Sequence, residues 1–595
     1  MTHFLHAASE RFGRTLLPMA IALAIALAGT LTVPQALAES LPSAGQLLNE
    51  QQRTQPPRPQ STQPPAGLEL PVETRRPGDA GLRVRLSAIR FSGDTDLASA
   101  ENLQQLLQPM LGKTLDHAGL QQLVDSLTRY LRGRGYVLAR AYLPRQDLTE
   151  GNLEIALIKG RLESGAARIQ VGGNTRSSPR RLADMAGAAL PEGKVLQAED
   201  LERALLLIND QPGISAHAAL ERGTEPGSSR LLIDARQGPL VSGAVSLDNY
   251  GNRSTGIARA NAQLSLNDPL AIGDQLNLGV SKTTGSDIFG AGYSLPLNAS
   301  GLRLQLGTSY LRYDVDQDKY RVLDLRGTAS TGSIGLSYPL LRSRLQNLYL
   351  SGTYEHKNLK DRALGANLRD RSLDNFTFAL NGNRFDSFAG GGVSDAGVAL
   401  TLGKLDLSGN RDDAFADSRS ARSDGHFEKL DLRLSRLQSL GAGSDWNLYA
   451  GMSAQWSDQN LDSAEKFLLG GPAGVRAYPV GEAAGDEGWL GTLELRRNLP
   501  IGLPNAKLEG LGFFDSGRVW LHQDTWPGST VTATGRNRYD LNALGLGANL
   551  WVGQWSLHAA VARTLGDNPG RSLSGQDADG RASDWRGWIQ ASLAF

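Results

Sequence analysis

The chain has 595 residues, with 61 basic and 61 acidic side chains and a formal net charge of +0. This balance disfavours a nucleic-acid partner, because such proteins usually carry a basic surface. The absence of cysteine excludes disulfides, thiolate metal sites and cysteine nucleophiles, and the eight histidines are too scattered to indicate a metal site. We therefore expect neither a metal nor another cofactor, and the length predicts two or more domains.

The first 80 residues predict an export signal, a short helix and a linker. Arg11 and Arg14 precede an apolar run too short to span a bilayer, and Ala36-Leu37-Ala38 matches a cleavage pattern, so we predict a signal peptide over 1–38. The alternative is a buried core helix. Residues 39–53 are expected to contain a short polar helix, and seven prolines between 56 and 77 predict an extended linker over 54–80. No later apolar run is long enough for a membrane helix, so the mature chain is either soluble or a β-barrel.

Residues 81–237 predict two small α+β modules in tandem, over 81–163 and 164–237. In the first, strand-like alternation at 82–88 is followed by helical spacing at 97–107 and 120–131, then by strand-like runs at 136–143 and 153–158. The order β-α-α-β-β repeats in the second, with strands at 167–171, 214–220 and 229–235 and helices at 179–189 and around 201–208.

Residues 238–595 predict a transmembrane antiparallel β-barrel. Helical periodicity almost vanishes, and alternating segments such as Trp446 to Trp456 run about 10 residues with aromatics at their ends. At roughly 22 residues for each strand and its connection, the segment accommodates about 16 strands. The alternative is a large secreted β-sandwich or β-helix. The last strand, 588–595, also alternates and ends in Phe595, which resembles the signal by which outer-membrane barrels are recognised for insertion.

A glycine-rich loop and a later strand carry a more specific pattern. The loop motif consists of Gly474, Val475, Arg476, Ala477 and Tyr478. It resembles the VRGY-type motif of the outer-membrane transporter and insertase superfamily, whose long extracellular loop folds back into the barrel. Phe513 and Asp515 share a strand face and resemble that superfamily's F-x-D motif.

The resemblance implies that Arg476 pairs with Asp515 inside the lumen, with Tyr478 and Phe513 packed nearby, as a structural latch without catalytic residues. An arginine inside a barrel gains from a planar carboxylate partner. The alternative is a solvated loop cation and an unrelated turn aspartate. Ala477 departs from the family's usual glycine, which leaves the local loop conformation open.

Three further stretches, 135–163, 208–213 and 246–256, resemble the ShlB/FhaC/HecB branch, the two-partner secretion transporters. The resemblance implies that the α+β modules are POTRA modules in the periplasm of a Gram-negative bacterium and that the barrel lies in the lipid of the outer membrane. It also implies that the 39–53 helix plugs the lumen at rest, and that the barrel-assembly machinery recognises Phe595.

The same resemblance implies passive export of one large β-helical exoprotein, such as a haemolysin, an adhesin or a contact-dependent toxin, and in some cases its activation. POTRA strand edges are expected to capture an extended segment of this partner by β-augmentation. The main alternative is an insertase of the same superfamily, which generally has three or more POTRA modules. A passive porin or an outer-membrane enzyme is a weaker alternative, since the chain lacks the G-x-S-x-G, H-E-x-x-H, Walker and dinucleotide motifs.

Overall fold

The computed structural model describes residues 42–53, 83–165, 168–224, 228–315 and 321–595. The predicted signal peptide, 1–38, and the predicted linker, 54–80, lie outside these ranges. The first described element is helix α1 (Ala44–Arg53), which confirms the expected N-terminal helix. Among the described residues, no helix combines the length and apolar character that crossing a membrane requires.

The first α+β unit has the predicted order of elements, with one additional three-residue strand, β3, between its two helices. It consists of β1 (Arg83–Arg85), β2 (Ala88–Gly93), α2 (Ala100–Leu107), β3 (Thr114–Asp116), α3 (His117–Gly133), β4 (Arg140–Tyr142) and β5 (Asn152–Ile158). Strand β5 lies between a parallel β2 and an antiparallel β4. One face of α3 is buried against this sheet because its leucines and valine recur at helical spacing.

Two strand predictions in this unit were wrong in extent. The run 82–88 forms two strands, because the chain changes partner at Leu86 and Ser87, whose N–H groups bond the carbonyls of Lys113 and Gly151 respectively. The run 136–143 forms only β4, because residues 136–139 make a turn in which the Ala139 N–H bonds the Tyr136 carbonyl. Local alternation does not reveal where a strand exchanges partners.

The second α+β unit repeats the order, as predicted. It consists of β6 (Arg161–Leu162), β7 (Ile169–Gly172), α4 (Pro179–Ala189), α5 (Ala198–Asn209), β8 (Ile214–Arg222) and β9 (Ser228–Gln237). Strand β9 pairs in parallel with β6 and β7 and in antiparallel with β8. Helices α4 and α5 cover this sheet with leucine, methionine and alanine side chains.

The remaining chain forms a closed barrel of 16 antiparallel strands, as predicted. The first eight are β10 (Val241–Asp248), β11 (Arg259–Asn267), β12 (Gln275–Lys282), β13 (Ser286–Pro296), β14 (Arg303–Asp314), β15 (Arg326–Arg342), β16 (Gln346–Ala363) and β17 (Ala366–Asp386). The next three are β18 (Gly392–Asp406), β19 (Gly425–Ser439) and β20 (Trp446–Ser457), with helix α6 (Arg411–Ser418) between β18 and β19.

A long loop, which contains the short strands β21 (Phe467–Leu468) and β22 (Ala484–Gly485), leads to the last five barrel strands. These are β23 (Glu487–Leu499), β24 (Ala506–Trp520), β25 (Arg538–Val552), β26 (Trp555–Thr564) and β27 (Trp585–Ala594). Strand β27 pairs with β10, for example Leu593 with Val245, and so closes the ring. Closure leaves every barrel strand with two partners, as a lipid environment demands.

Side chains alternate between the lumen and the outer surface. On β27, Trp588 and Gln590 are buried in the lumen whereas Ile589 is half exposed on the outside. On β20, Gln455 faces inward and is buried whereas Trp456 is exposed outside. An apolar outer surface around a polar interior is what a membrane-embedded barrel requires.

The second α+β unit is bound to one end of the barrel. The Ser177 hydroxyl donates to Asp268 at 2.8 Å, in the turn between β11 and β12. Arg342, at the end of β15, donates to both carboxylate oxygens of Asp210 at 2.7 and 2.8 Å. This unit therefore marks the near end of the barrel, and the long loop between β20 and β23 enters from the far end.

Candidate functional site

The loop of residues 458–486, between β20 and β23, folds back into the barrel lumen. Gly471 adopts a φ of 107°, and a Cβ atom at Gly474 would lie 2.1 Å from the Leu469 carbonyl oxygen. Glycine is therefore required at both positions. The loop also buries Val475, Ala477 and Tyr478 against β24, β25 and β26, so its tip is packed rather than solvated.

The structure brings Arg476 and Asp515 together at mid-lumen. The Arg476 Nε donates to Asp515 Oδ2 at 2.8 Å, and Nη2 donates to Oδ1 at 2.7 Å. The Arg476 backbone N–H adds a third bond to the same carboxylate at 3.1 Å. Asp515 is fully buried, and a buried bidentate pair of this kind is strong and directional.

The other predicted residues of this cluster lie where the motifs indicated. The guanidinium carbon of Arg476 lies 3.4 Å from the centre of the Phe513 ring, a cation–π contact. Tyr478 packs in the same apolar cluster as Phe513. Ala477 is not among the described residues with a positive φ, so its backbone needs no glycine.

Two further partners of Arg476 were not predicted from the sequence. Glu494, which faces the lumen from β23, accepts from Arg476 Nη1 at 2.8 Å and is also paired with Arg496 at 2.7 Å. Trp588 donates its indole N–H to the Arg476 carbonyl at 2.7 Å. No motif marks either residue, because each contact depends on the register of strands distant in sequence. We refer to Arg476, Asp515, Glu494 and Phe513 as the arginine cluster.

Helix α1 lies inside the lumen, towards the far end. Its Leu47 and Leu48 are buried in an apolar cluster formed by lumen-facing residues of β14, β15 and β16, among them Leu311 and Tyr313. The Ala44 N–H donates to Asp361 at 2.8 Å. The helix therefore blocks part of the lumen through a small apolar contact and several polar ones.

Polar contacts connect α1 to two loops. The Asn49 amide donates to the Lys466 carbonyl at 2.7 Å in the inserted loop. The Asn252 amide, between β10 and β11, donates to both Glu50 oxygens at 3.0 Å. Burial raises the pKa of the Glu50 carboxyl to about 7, although these hydrogen bonds and that from Gln46 act in the opposite direction. The docked helix therefore holds a carboxyl that ionises near neutral pH.

The inserted loop also binds neighbouring far-end loops. Glu482 accepts from the Asn568 amide and the Ala578 N–H at 2.8 and 2.7 Å, in the loop between β26 and β27. Arg371, on β17, bridges Asp462 of the inserted loop and Asp413 of α6 at 2.6 and 2.7 Å. The far end is thus closed by loops that share the inserted loop as their common contact.

A cavity of about 700 Å³ remains between the loop tip and the barrel wall. Its lining includes Asn381, Arg433, Tyr449 and Arg496 together with Arg476. Among the described residues, no group of three or more His, Asp or Glu side chains could hold a metal ion. The arrangement offers a polar, water-accessible space bordered by the inserted loop and the barrel wall.

The fold and this site define a class of protein: a membrane β-barrel preceded by two α+β units, the second of which is bound to one rim, with a loop bound inside its lumen. A family model for the haemolysin secretion/activation proteins ShlB/FhaC/HecB matches residues 227–536, and one for the ShlB-type POTRA domain matches residues 84–160. The chain belongs to the ShlB/FhaC/HecB family, the transporters of two-partner secretion.

Several named relatives cover most of the chain. The outer membrane transporter CdiB of Escherichia coli is 29% identical over 489 residues, which span 81% of this chain and 79% of CdiB. The heme/hemopexin transporter protein HuxB of Haemophilus influenzae strain 86-028NP is 26% identical, over 79% of this chain and 81% of HuxB. The hemolysin transporter protein ShlB of Serratia marcescens is 24% identical, over 84% and 86%.

Solved structures agree with this assignment. CdiB from Escherichia coli superposes with a TM-score of 0.64 at 26% identity, covering 89% of this chain and 94% of that one. BamA from Haemophilus ducreyi lacking POTRA domains 1–3 superposes with a TM-score of 0.52 at 16% identity, covering 86% and 100%, which shows a shared fold alone. The protein is an outer-membrane transporter with its POTRA modules in the periplasm, so the near end of the barrel is periplasmic and the far end extracellular.

Proposed function

We propose that this protein exports one large secreted partner protein through its barrel lumen, passively and without catalytic chemistry. The observation that carries the proposal is a lumen closed by two elements of the chain itself, α1 and the inserted loop, above two periplasmic POTRA modules. A porin for small solutes has no use for the POTRA modules. The names of the relatives, a hemolysin transporter and a heme/hemopexin transporter, support a protein cargo.

POTRA strand edges are the proposed capture sites for an extended segment of the partner. Within the described residues, β4 and β8 each pair with one strand only, so each has one free edge. Such an edge presents unpaired N–H and C=O groups that an incoming strand satisfies by β-augmentation. Capture beside the rim brings the segment to the periplasmic mouth of the barrel.

Helix α1 is the proposed plug, and the arginine cluster is the proposed latch on the inserted loop. The helix has a short apolar face and is held mainly by hydrogen bonds, which water replaces at low cost when the helix leaves. The arginine cluster is more buried than the contacts of α1, and its ion pair is bidentate, so the cluster holds the loop while the helix moves. Folding of the β-helical partner outside the cell then prevents its return.

Quantitative mass spectrometry of a deletion strain tests this function. Culture supernatant and outer-membrane fraction are compared with those of the parent strain and of the deletion strain carrying the wild-type chain. We expect loss of one very large supernatant protein, its restoration by the wild-type chain, and unchanged amounts of other barrels. Depletion of several unrelated outer-membrane barrels would contradict export and support an insertase.

The final steps of biogenesis belong to the same proposal. We propose that the barrel-assembly machinery recognises the terminal strand through Phe595 and inserts the barrel into outer-membrane lipid. Phe595 supports this because it is exposed on the outer surface and its N–H bonds the carbonyl of Gly243 on β10 at 2.9 Å. Whether the cargo is also activated during export is tested by comparing its activity after secretion by the wild-type chain and after cytosolic release.

A further inference from the structure

The lumen wall is chemically divided, and the part of it formed by β11 to β15 is uncharged between α1 and the periplasmic rim. On β14, Leu311 and Tyr313 contact α1, so the odd-numbered residues of this strand face the lumen. Below them come Ser309, Gly307 and Gln305, and the residues paired across the sheet share their face. We call the lumen-facing positions of β11 to β15 that lie between α1 and the periplasmic rim the neutral wall.

The neutral wall consists of Ser, Thr, Asn, Gln and Gly residues, whereas the adjoining β16 presents the paired charges Lys357 and Glu355 to the lumen. Examples are Gln263, Asn277, Ser294, Gln305 and Thr331, one from each of the five strands. Gln263 and Gln305 are exposed to the lumen, and neither side-chain amide makes a hydrogen bond to another residue that the structure describes. Their amides are therefore available to a chain passing through.

At the same depth, the opposite half of the wall carries charged side chains. On β17, β18 and β19, the residues Asn381, Gly397 and Arg433 are paired in register, so Arg433 faces the lumen as Asn381 does. Around it, β18 to β24 present Asp395, Glu494 and Arg496 to the lumen. This charged half also holds the inserted loop through the arginine cluster. The uninterrupted run of uncharged positions thus lies on the side that the loop leaves free.

We propose that the exported polypeptide passes in extended form along the neutral wall, and that the wall suits segments made mainly of small, uncharged polar residues. This inference rests on the proposed export function. Passage requires contacts favourable enough for entry and weak enough for release. Uncharged amide and hydroxyl groups meet this condition with the cargo backbone, whereas a charge on the wall would hold or repel the charged side chains that pass it.

Charge-insertion variants in the deletion strain test the inference. One variant carries Gln263→Glu with Gln305→Glu, which preserves side-chain shape, and a second carries Gln263→Lys with Gln305→Lys. The matched control, Asn447→Asp with Ser453→Asp, adds two carboxylates to lumen-facing positions of the charged half. The readout is the rate of appearance of the large supernatant protein per barrel in the outer membrane.

We expect both neutral-wall variants to slow export by about threefold or more, and the control to stay within about 1.5-fold of wild type. Unchanged export by both neutral-wall variants would overturn the inference, and so would opposite effects of Glu and Lys, which would indicate a charged cargo. A wild-type chain that restores no supernatant protein would instead refute the export function itself, and the inference with it.

Discussion

Trp588, on the last strand of the barrel, donates its indole N–H to the backbone carbonyl of Arg476 in the inserted loop at 2.7 Å. The side chain of the same arginine reaches Asp515 on β24. One loop residue therefore connects strands β24 and β27, and β27 is the strand that closes the ring against β10. The position of the loop and the closure of the barrel are thereby coupled.

Replacement of Trp588 by Phe should loosen the loop tip without displacing it. The variant keeps an aromatic ring against Tyr250 but loses the donor to the Arg476 carbonyl, a cost of about 1 kcal/mol. Hydrogen exchange at residues 470–480 is expected to speed up about fivefold. Trp585→Phe, on the outer face of the same strand, is the control and should leave this exchange unchanged.

Replacement of Arg476 by Ala should release the loop from the lumen. It leaves Asp515 buried without its cation, and breaking a buried pair costs about 3–5 kcal/mol. We expect export to fall at least about tenfold while the barrel still assembles, as judged by its heat-modifiable migration on gels. Arg476→Lys should restore little export, because an ammonium group does not bond both carboxylate oxygens in the same plane. Full export by Arg476→Ala would contradict the latch.

Docking of α1 should weaken as the pH rises through 7. Docking of the helix raises the pKa of Glu50 from its ordinary value of 4.5 to about 7. Glu50 therefore holds its proton more tightly in the docked helix than in the free helix. Docking is therefore strongest below about pH 4.5, weakens as the pH rises from there through 7, and is weakest above about pH 8. In planar bilayers, the open probability should rise by up to about tenfold between pH 6 and pH 8.

The matched variant for this prediction is Glu50→Gln. It keeps the size of the side chain and its bond from Asn252 but removes the titration. Its open probability should be nearly constant between pH 6 and pH 8. An unaltered pH response in Glu50→Gln would assign the effect to another group.

Removal of the Arg342–Asp210 pair should loosen the second POTRA module on the rim. The pair is bidentate and partly exposed, so Asp210→Asn is expected to cost about 1 kcal/mol and to broaden the range of module positions. Because the native chain lacks cysteine, one cysteine introduced in the module and one in the barrel can be spin-labelled specifically. The distribution of pulsed EPR distances between the two labels measures that range. Asp324→Asn, which removes an exposed pair with Arg326 at the extracellular end, should leave the distances unchanged.

The sequence predicted the architecture well because each element depends on a local period. Alternation over 238–595 indicated about 16 strands, and helical spacing placed α4 at the bounds later observed, 179–189. The two strands that were wrong in extent, 82–88 and 136–143, lie where the chain exchanges one partner for another. Alternation continues through such a point, so it gives no signal.

The chain by itself determined the class of the described segments, because their periods are written in neighbouring residues, and the resemblance of its loop motif to a known family implied the pairing of Arg476 with Asp515. Tertiary structure alone decided the partners that close the lumen: Glu494 and Trp588 at Arg476, Asn252 at Glu50, and the division of the wall into neutral and charged halves. Those contacts depend on strand register and ring closure, which bring together residues hundreds of positions apart. A single sequence does not reveal such contacts because its local periods are the same in every register that keeps the apolar side chains outside.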